Sequence, residues 1–88
     1  MDARETLGWN LRKRRVERRL SQEALALEAQ VDRAYLGRVE RGRENVTIST
    51  IEQIALALNV TIADLFRLPD EGESPPMPLR AGRRKKQS

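Results

Sequence analysis

Three arginines, Arg33, Arg38 and Arg41, fall in a nine-residue stretch, RAYLGRVER, whose apolar residues Leu36 and Val39 lie three apart. At about 100° per residue, Arg33 and Gly37 share one line of a helix and Ala34 and Arg38 the next, with Arg41 following. Once Leu36 and Val39 point inward, those positions are left outward. A guanidinium is a planar fork of donors that suits paired acceptors. The surroundings repeat the theme: residues 12 to 43 hold ten Arg or Lys against five acids, whereas residues 44 to 68 hold one Arg against three. One side of the fold is cationic, as expected of a surface that meets a polyanion. Charge alone does not separate this from a solubilising surface.

Other chemistry is poorly served. The chain has 88 residues, 17 Lys plus Arg, 13 Asp plus Glu, and neither Cys nor His. Disulfides and thiolate metal sites are thereby excluded, and the commonest general base and zinc ligand are absent. The few Ser and carboxylates show no paired arrangement of a catalytic kind. The expectation is a protein that is not an enzyme and takes no metal, cofactor or small-molecule ligand. No apolar run is long enough to span a membrane or form a signal-peptide core, so the expected compartment is the cytoplasm.

The elements that must position the arginines can be read from caps and apolar spacing. Residues 5 to 19 suggest a first helix with Leu7, Leu11 and Val16 inward, Leu20 just past its end, and Trp9 partly exposed. Ser21 caps a second helix that buries Leu25, Ala26 and Ala29. Asp32 caps a third, running from about Arg33 to Arg41 and stopped by Gly42. Thr47 caps a fourth through Leu58, with Ile48, Ile51, Ile54, Ala55 and Leu58 inward. Thr61 and Asp64 cap a short fifth helix ending near Arg67. No stretch alternates with period two for long, so no sheet is expected. The fold class is all-α: one five-helix domain over residues 1–68. Residues 69–88, PDEGESPPMPLRAGRRKKQS, form a Pro/Gly/basic tail expected to be disordered.

Two helices joined by three or four residues must cross steeply, which requires a small side chain at the crossing. Ala26 sits there, with Leu36 and Val39 facing back. This spacing is the packing signature of a helix-turn-helix. The first helix of the pair then holds the second by its apolar back and leaves its basic front free for a groove. Gly37 costs about 1 kcal/mol against Ala in a helix interior, and close approach to another molecule is one reason to keep it.

LSQEALALEAQVDRAYLGRVERGRENVTISTIEQIALALNVTIADLF resembles the Cro/CI-type helix-turn-helix domain, the XRE family, over about residues 7 to 66. The LSQE start, Ala26, the RVERG end of the third helix and the ALNVTIADLF close match together. The stretch VDRAYLGRVERGRENVTI looks especially like restriction–modification controller proteins. The resemblance implies a homodimeric transcriptional regulator on a partly palindromic operator. The partners it implies are double-stranded DNA, a second copy of the chain and RNA polymerase. Carried over position by position, Gln22 would touch a phosphate, Arg33, Ala34, Gly37 and Arg38 would face base edges, and Tyr35 would lie near the sugar-phosphate wall. Arg43 and Asn45 would bind backbone phosphates, and Arg41 joins the DNA-binding set. Arg suits guanine O6 and N7, and Ala34 a thymine methyl.

The resemblance also pairs Arg15 with Glu40 between the first and third helices. The dimer interface is expected at Val60, Ile62, Leu65 and Phe66, with Ile62 and Leu65 serving mainly the core and Phe66, with part of the fourth helix, the partner. Two positions depart from the family pattern. Gln30 stands where Gly is usual in the turn, and Arg14 where many relatives carry an aliphatic residue, so that its stem must run along the core edge. An alternative function is an antitoxin-like module that neutralises a partner protein and binds DNA secondarily; a nonspecific nucleoid binder is a further one.

Overall fold

The computed structural model describes residues 1–70, 72 and 73. The expectation of a disordered tail, with Arg80, Arg83, Arg84, Lys85 and Lys86, falls on residues outside the described ones. Among the described residues there are five helices and no strand: α1 (Ala3–Glu17), α2 (Gln22–Ala29), α3 (Arg33–Glu40), α4 (Ile48–Leu58) and α5 (Ile62–Leu65).

Each helix starts where a side-chain oxygen satisfies an orphan backbone N–H. Ser21, Asp32 and Thr47 cap α2, α3 and α4 as the sequence indicates. Thr61 and Asp64 form a full capping box for α5. The Asp64 carboxyl sits below its ordinary range, chiefly because the Thr61 backbone N–H donates to it. α1 starts earlier than the apolar spacing suggests, because Asp2 and Glu5 make a second capping box. The Asp2 carboxyl is lowered in the same way by the Glu5 backbone N–H.

The helix ends follow from backbone geometry. Gln30, at the turn position usually held by Gly, adopts φ +60°. The strain is about 1 kcal/mol for a non-glycine residue. The turn keeps its form because the Gln30 and Val31 N–H groups donate to Leu27 O and Ala26 O. Gly42, at φ +73°, follows Arg41, the C-cap of α3, where a left-handed residue lets the chain leave the helix.

The core is one cluster. Leu11, Leu25, Leu36, Ile54, Leu58 and Leu65 are fully buried, with Ala26 and Ala29 between α2 and its neighbours. Each such leucine or isoleucine contributes about 1.5–3 kcal/mol through burial. α3 lies against α1 and α2, α4 against α2, and α5 against α1 and α4.

Three apolar assignments are corrected. Val16 is only half-buried. The stripe of Leu7 and Leu11 continues instead to Arg15, four residues on, which is buried. Ile48 is exposed; it lies one turn before Ile51, ahead of the α2–α4 contact, and Val46 packs on the core in that region. Ile62 is also exposed, because a one-turn helix offers one inward position and Leu65 fills it. Trp9 is half-buried as expected, with its indole N–H buried and unpartnered among the described residues.

Two residues not singled out in the sequence fasten the helices. A Cβ on Gly8 would lie 2.5 Å from Glu40 O and 2.7 Å from Val39 O, so the backbones of α1 and α3 meet there. Asn10 is buried and its amide donates to Thr6 O, Leu65 O and Arg67 O at 3.0, 3.0 and 2.7 Å. It thereby ties the carbonyls at the end of α5 to α1. After α5, Lys13 Nζ donates to Glu73 at 2.5 Å, and Glu73 closes a turn on Asp70. The Lys13 ammonium is the main reason the Glu73 carboxyl is lowered.

Candidate nucleic-acid interface

α3 is held from behind by an ion pair. Arg15 donates to both oxygens of Glu40, at 2.6 and 3.1 Å, and both side chains are at most 5% exposed. The remaining valences are used: Arg15 also donates to Leu20 O at 2.8 Å, and Gln22 Nε2 donates to Glu40 Oε1 at 3.0 Å. The Glu40 carboxylate therefore joins α3 to α1 and to the start of α2, and the Arg15 guanidinium adds the α1–α2 connection through Leu20 O. A buried pair satisfied this way fixes geometry more than it adds net stability.

The front of α3 carries the positions identified in the sequence. Arg33, Ala34, Arg38 and Arg41 are exposed, as are Arg43 and Asn45 in the following loop. Tyr35 is half-buried, packed on the core edge, and its ring centroid is 5.8 Å from the Arg38 guanidinium carbon. Gly37 departs from expectation: it is buried, beneath Gln22 and Arg41. A Cβ there would meet Arg41 Nη1 at 3.5 Å and Gln22 Oε1 at 3.7 Å, ordinary contact distances. Contacts within this protein therefore do not require glycine at position 37. Gln22, half-buried, has its amide nitrogen engaged by Glu40, leaving its oxygen beside Gly37.

Sequence reasoning missed one partner on this face. Arg38 Nε donates to Glu44 Oε2 at 2.6 Å. Its only signal in the sequence is a glutamate six residues on, past a glycine turn. Arg14, by contrast, behaves as its departure from the pattern suggests: it is half-buried and its guanidinium is 3.9 Å from Asp64.

At the fold's other end, Leu65 is fully buried and Val60 half-buried against the core. Phe66 and Ile62 are exposed, together with Leu56 and Leu68. Among the described residues no group of three potential metal ligands occurs, and no helix is long and apolar enough to cross a membrane.

A model of the helix-turn-helix family HTH_3 matches residues 11–65. The chain belongs to the helix-turn-helix family. The match contains the whole α2–α3 unit and its turn at Gln30. Within this family the chain is 43% identical over 70 residues to a hypothetical transcription factor of Neisseria meningitidis, spanning 80% of this chain and 66% of that protein. It is 45% identical over 66 residues to control protein C.SmaI of Serratia marcescens, spanning 75% of this chain and 79% of C.SmaI. The crystal structure of the restriction-modification controller protein C.AhdI from Aeromonas hydrophila superposes with a TM-score of 0.70 at 41% identity, covering 72% of this chain and 96% of C.AhdI.

Proposed function

We propose that this DNA-binding transcriptional regulator works as a homodimer on a partly palindromic operator and serves as a restriction–modification controller. The observation that carries the DNA reading is the exposed row Arg33, Ala34 and Arg38 on a helix whose back is clamped by Arg15, Glu40 and Gln22. A helix held rigidly and fronted by arginines suits the major groove, where guanine presents two acceptors to one guanidinium. Arg41, Arg43 and Asn45 supply phosphate contacts, which set register without reading sequence.

The dimer follows from size. One short helix reads few base pairs, and two copies about a two-fold axis double the contacts at one DNA turn, about 34 Å apart. Exposed Phe66 and Ile62, away from the basic helix, are the surface offered to the second copy. The controller role rests on the likeness to C.SmaI and C.AhdI. The same reading places the protein in the cytoplasm, with RNA polymerase as a further partner and no catalysis of its own.

Selection of bound sites from a randomised duplex pool tests it. The expected product is one preferred sequence with two related half-sites. A pool with no enriched sequence overturns specific recognition, and a single unrepeated half-site overturns the dimer.

A further inference from the structure

We propose that Glu44 is a specificity-determining residue that aims Arg38 at a base edge and at the same time repels phosphate. The inference deepens the DNA reading above and rests on it.

Arg38 is exposed, yet it is not loose. Its Nε donates to Glu44 Oε2 at 2.6 Å, and its guanidinium carbon lies 5.8 Å from the centroid of the Tyr35 ring. Its two terminal nitrogens make no hydrogen bond among the described residues. The carboxylate therefore occupies the side of the guanidinium and leaves the terminal fork open, which is the edge that can take guanine O6 and N7 together. Glu44 is itself held near α3. The Gly42 and Arg43 N–H groups donate to Val39 O and Arg38 O, each at 3.0 Å, so the loop turns directly off the helix end. An arginine oriented before it binds loses less side-chain freedom on binding.

Glu44 also stands out by sign. Arg33, Arg41 and Arg43 form no ion pair among the described residues, and Glu40 is buried with Arg15. Asp32 is occupied in capping α3. A carboxylate bonded to Arg38 and next in sequence to Arg43 weakens attraction to any phosphate backbone, whatever the sequence. Aiming strengthens the right site and so raises the ratio of specific to nonspecific binding, whereas repulsion lowers affinity for every site alike and leaves that ratio to the aiming.

The test compares wild type, Glu44→Ala, Glu44→Gln and Arg38→Ala by site selection and by titration on the selected operator and a random duplex. Glu44→Ala is expected to lower the operator-to-random ratio on the order of tenfold and to flatten preference at the same base pair that Arg38→Ala flattens. Its binding to random duplex should rise, with a salt slope steeper by about one unit. Glu44→Gln keeps an acceptor oxygen, so it should retain the base preference while sharing the rise on random duplex. Preference left intact in Glu44→Ala overturns the aiming role while specific binding stands. A loss spread evenly over all positions of the site overturns it too. If wild type selects no sequence, the DNA reading itself fails and this inference with it.

Discussion

Arg15 on α1 and Glu40 on α3 form a two-point ion pair that is almost fully withdrawn from solvent. Removing one partner leaves a buried charge with nothing to balance it, at a cost of about 3–5 kcal/mol. Removing both leaves a cavity and no lone charge. Denaturant melts should therefore rank wild type first, then Arg15→Met/Glu40→Leu, then either single variant. A Glu40→Leu protein as stable as wild type would contradict the buried pair.

The close approach of α1 to α3 depends on Gly8. A methyl at that position meets the Val39 and Glu40 carbonyls below 3.0 Å, and backbone cannot swing aside as a side chain can. Gly8→Ala would ordinarily gain up to about 1 kcal/mol of helix propensity. Here it should lose about 1–3 kcal/mol through overpacking. Thermal melting of Gly8→Ala checks it, and a raised melting temperature would mean the helices separate freely.

Arg33 and Arg43 should part company in a binding assay. Arg33 is exposed on the front of α3, so Arg33→Ala should cost about 1–3 kcal/mol on the operator and relax preference at one position. Arg43 lies in the loop, so Arg43→Ala should weaken operator and random duplex alike and reduce the salt slope by about one unit. Titrations at several salt concentrations separate the two behaviours; equal loss on both duplexes for Arg33→Ala would remove it from base readout.

The surface proposed for the second copy is narrower than the apolar run of α5, because Leu65 lies in the core while Phe66 and Ile62 are exposed. Leu65 is committed to the core, so Leu65→Asp should unfold the domain. Phe66 is exposed, so Phe66→Asp should leave a folded monomer with poor operator affinity. Sedimentation at micromolar concentration, with circular dichroism on the same sample, checks both. A dimeric Phe66→Asp protein moves the interface elsewhere.

Much of this was legible in the chain because it is local. Ser21, Asp32, Thr47 and the Thr61–Asp64 pair each cap a helix through a bond spanning three residues, and such bonds need no knowledge of the rest of the fold. Gly42 and Gln30 mark turns for the same reason, and the outward arginines of α3 follow from where Leu36 and Val39 must go. The pairing of Arg15 with Glu40 was reachable only through likeness to a family, since 25 residues separate them.

Tertiary structure decided what depends on a second element arriving. Arg15 rather than Val16 continues the buried stripe of α1, because Glu40 is there to neutralise it. Gly8 and Asn10 matter only because α3 and the end of α5 come to rest against α1. Gly37 lies beneath Gln22 and Arg41, although its helical position alone points outward. Ile48 and Ile62 stay exposed because no neighbouring helix reaches them. Residue type and periodicity state which side chains favour burial; which of them find cover is fixed by where the five helices meet.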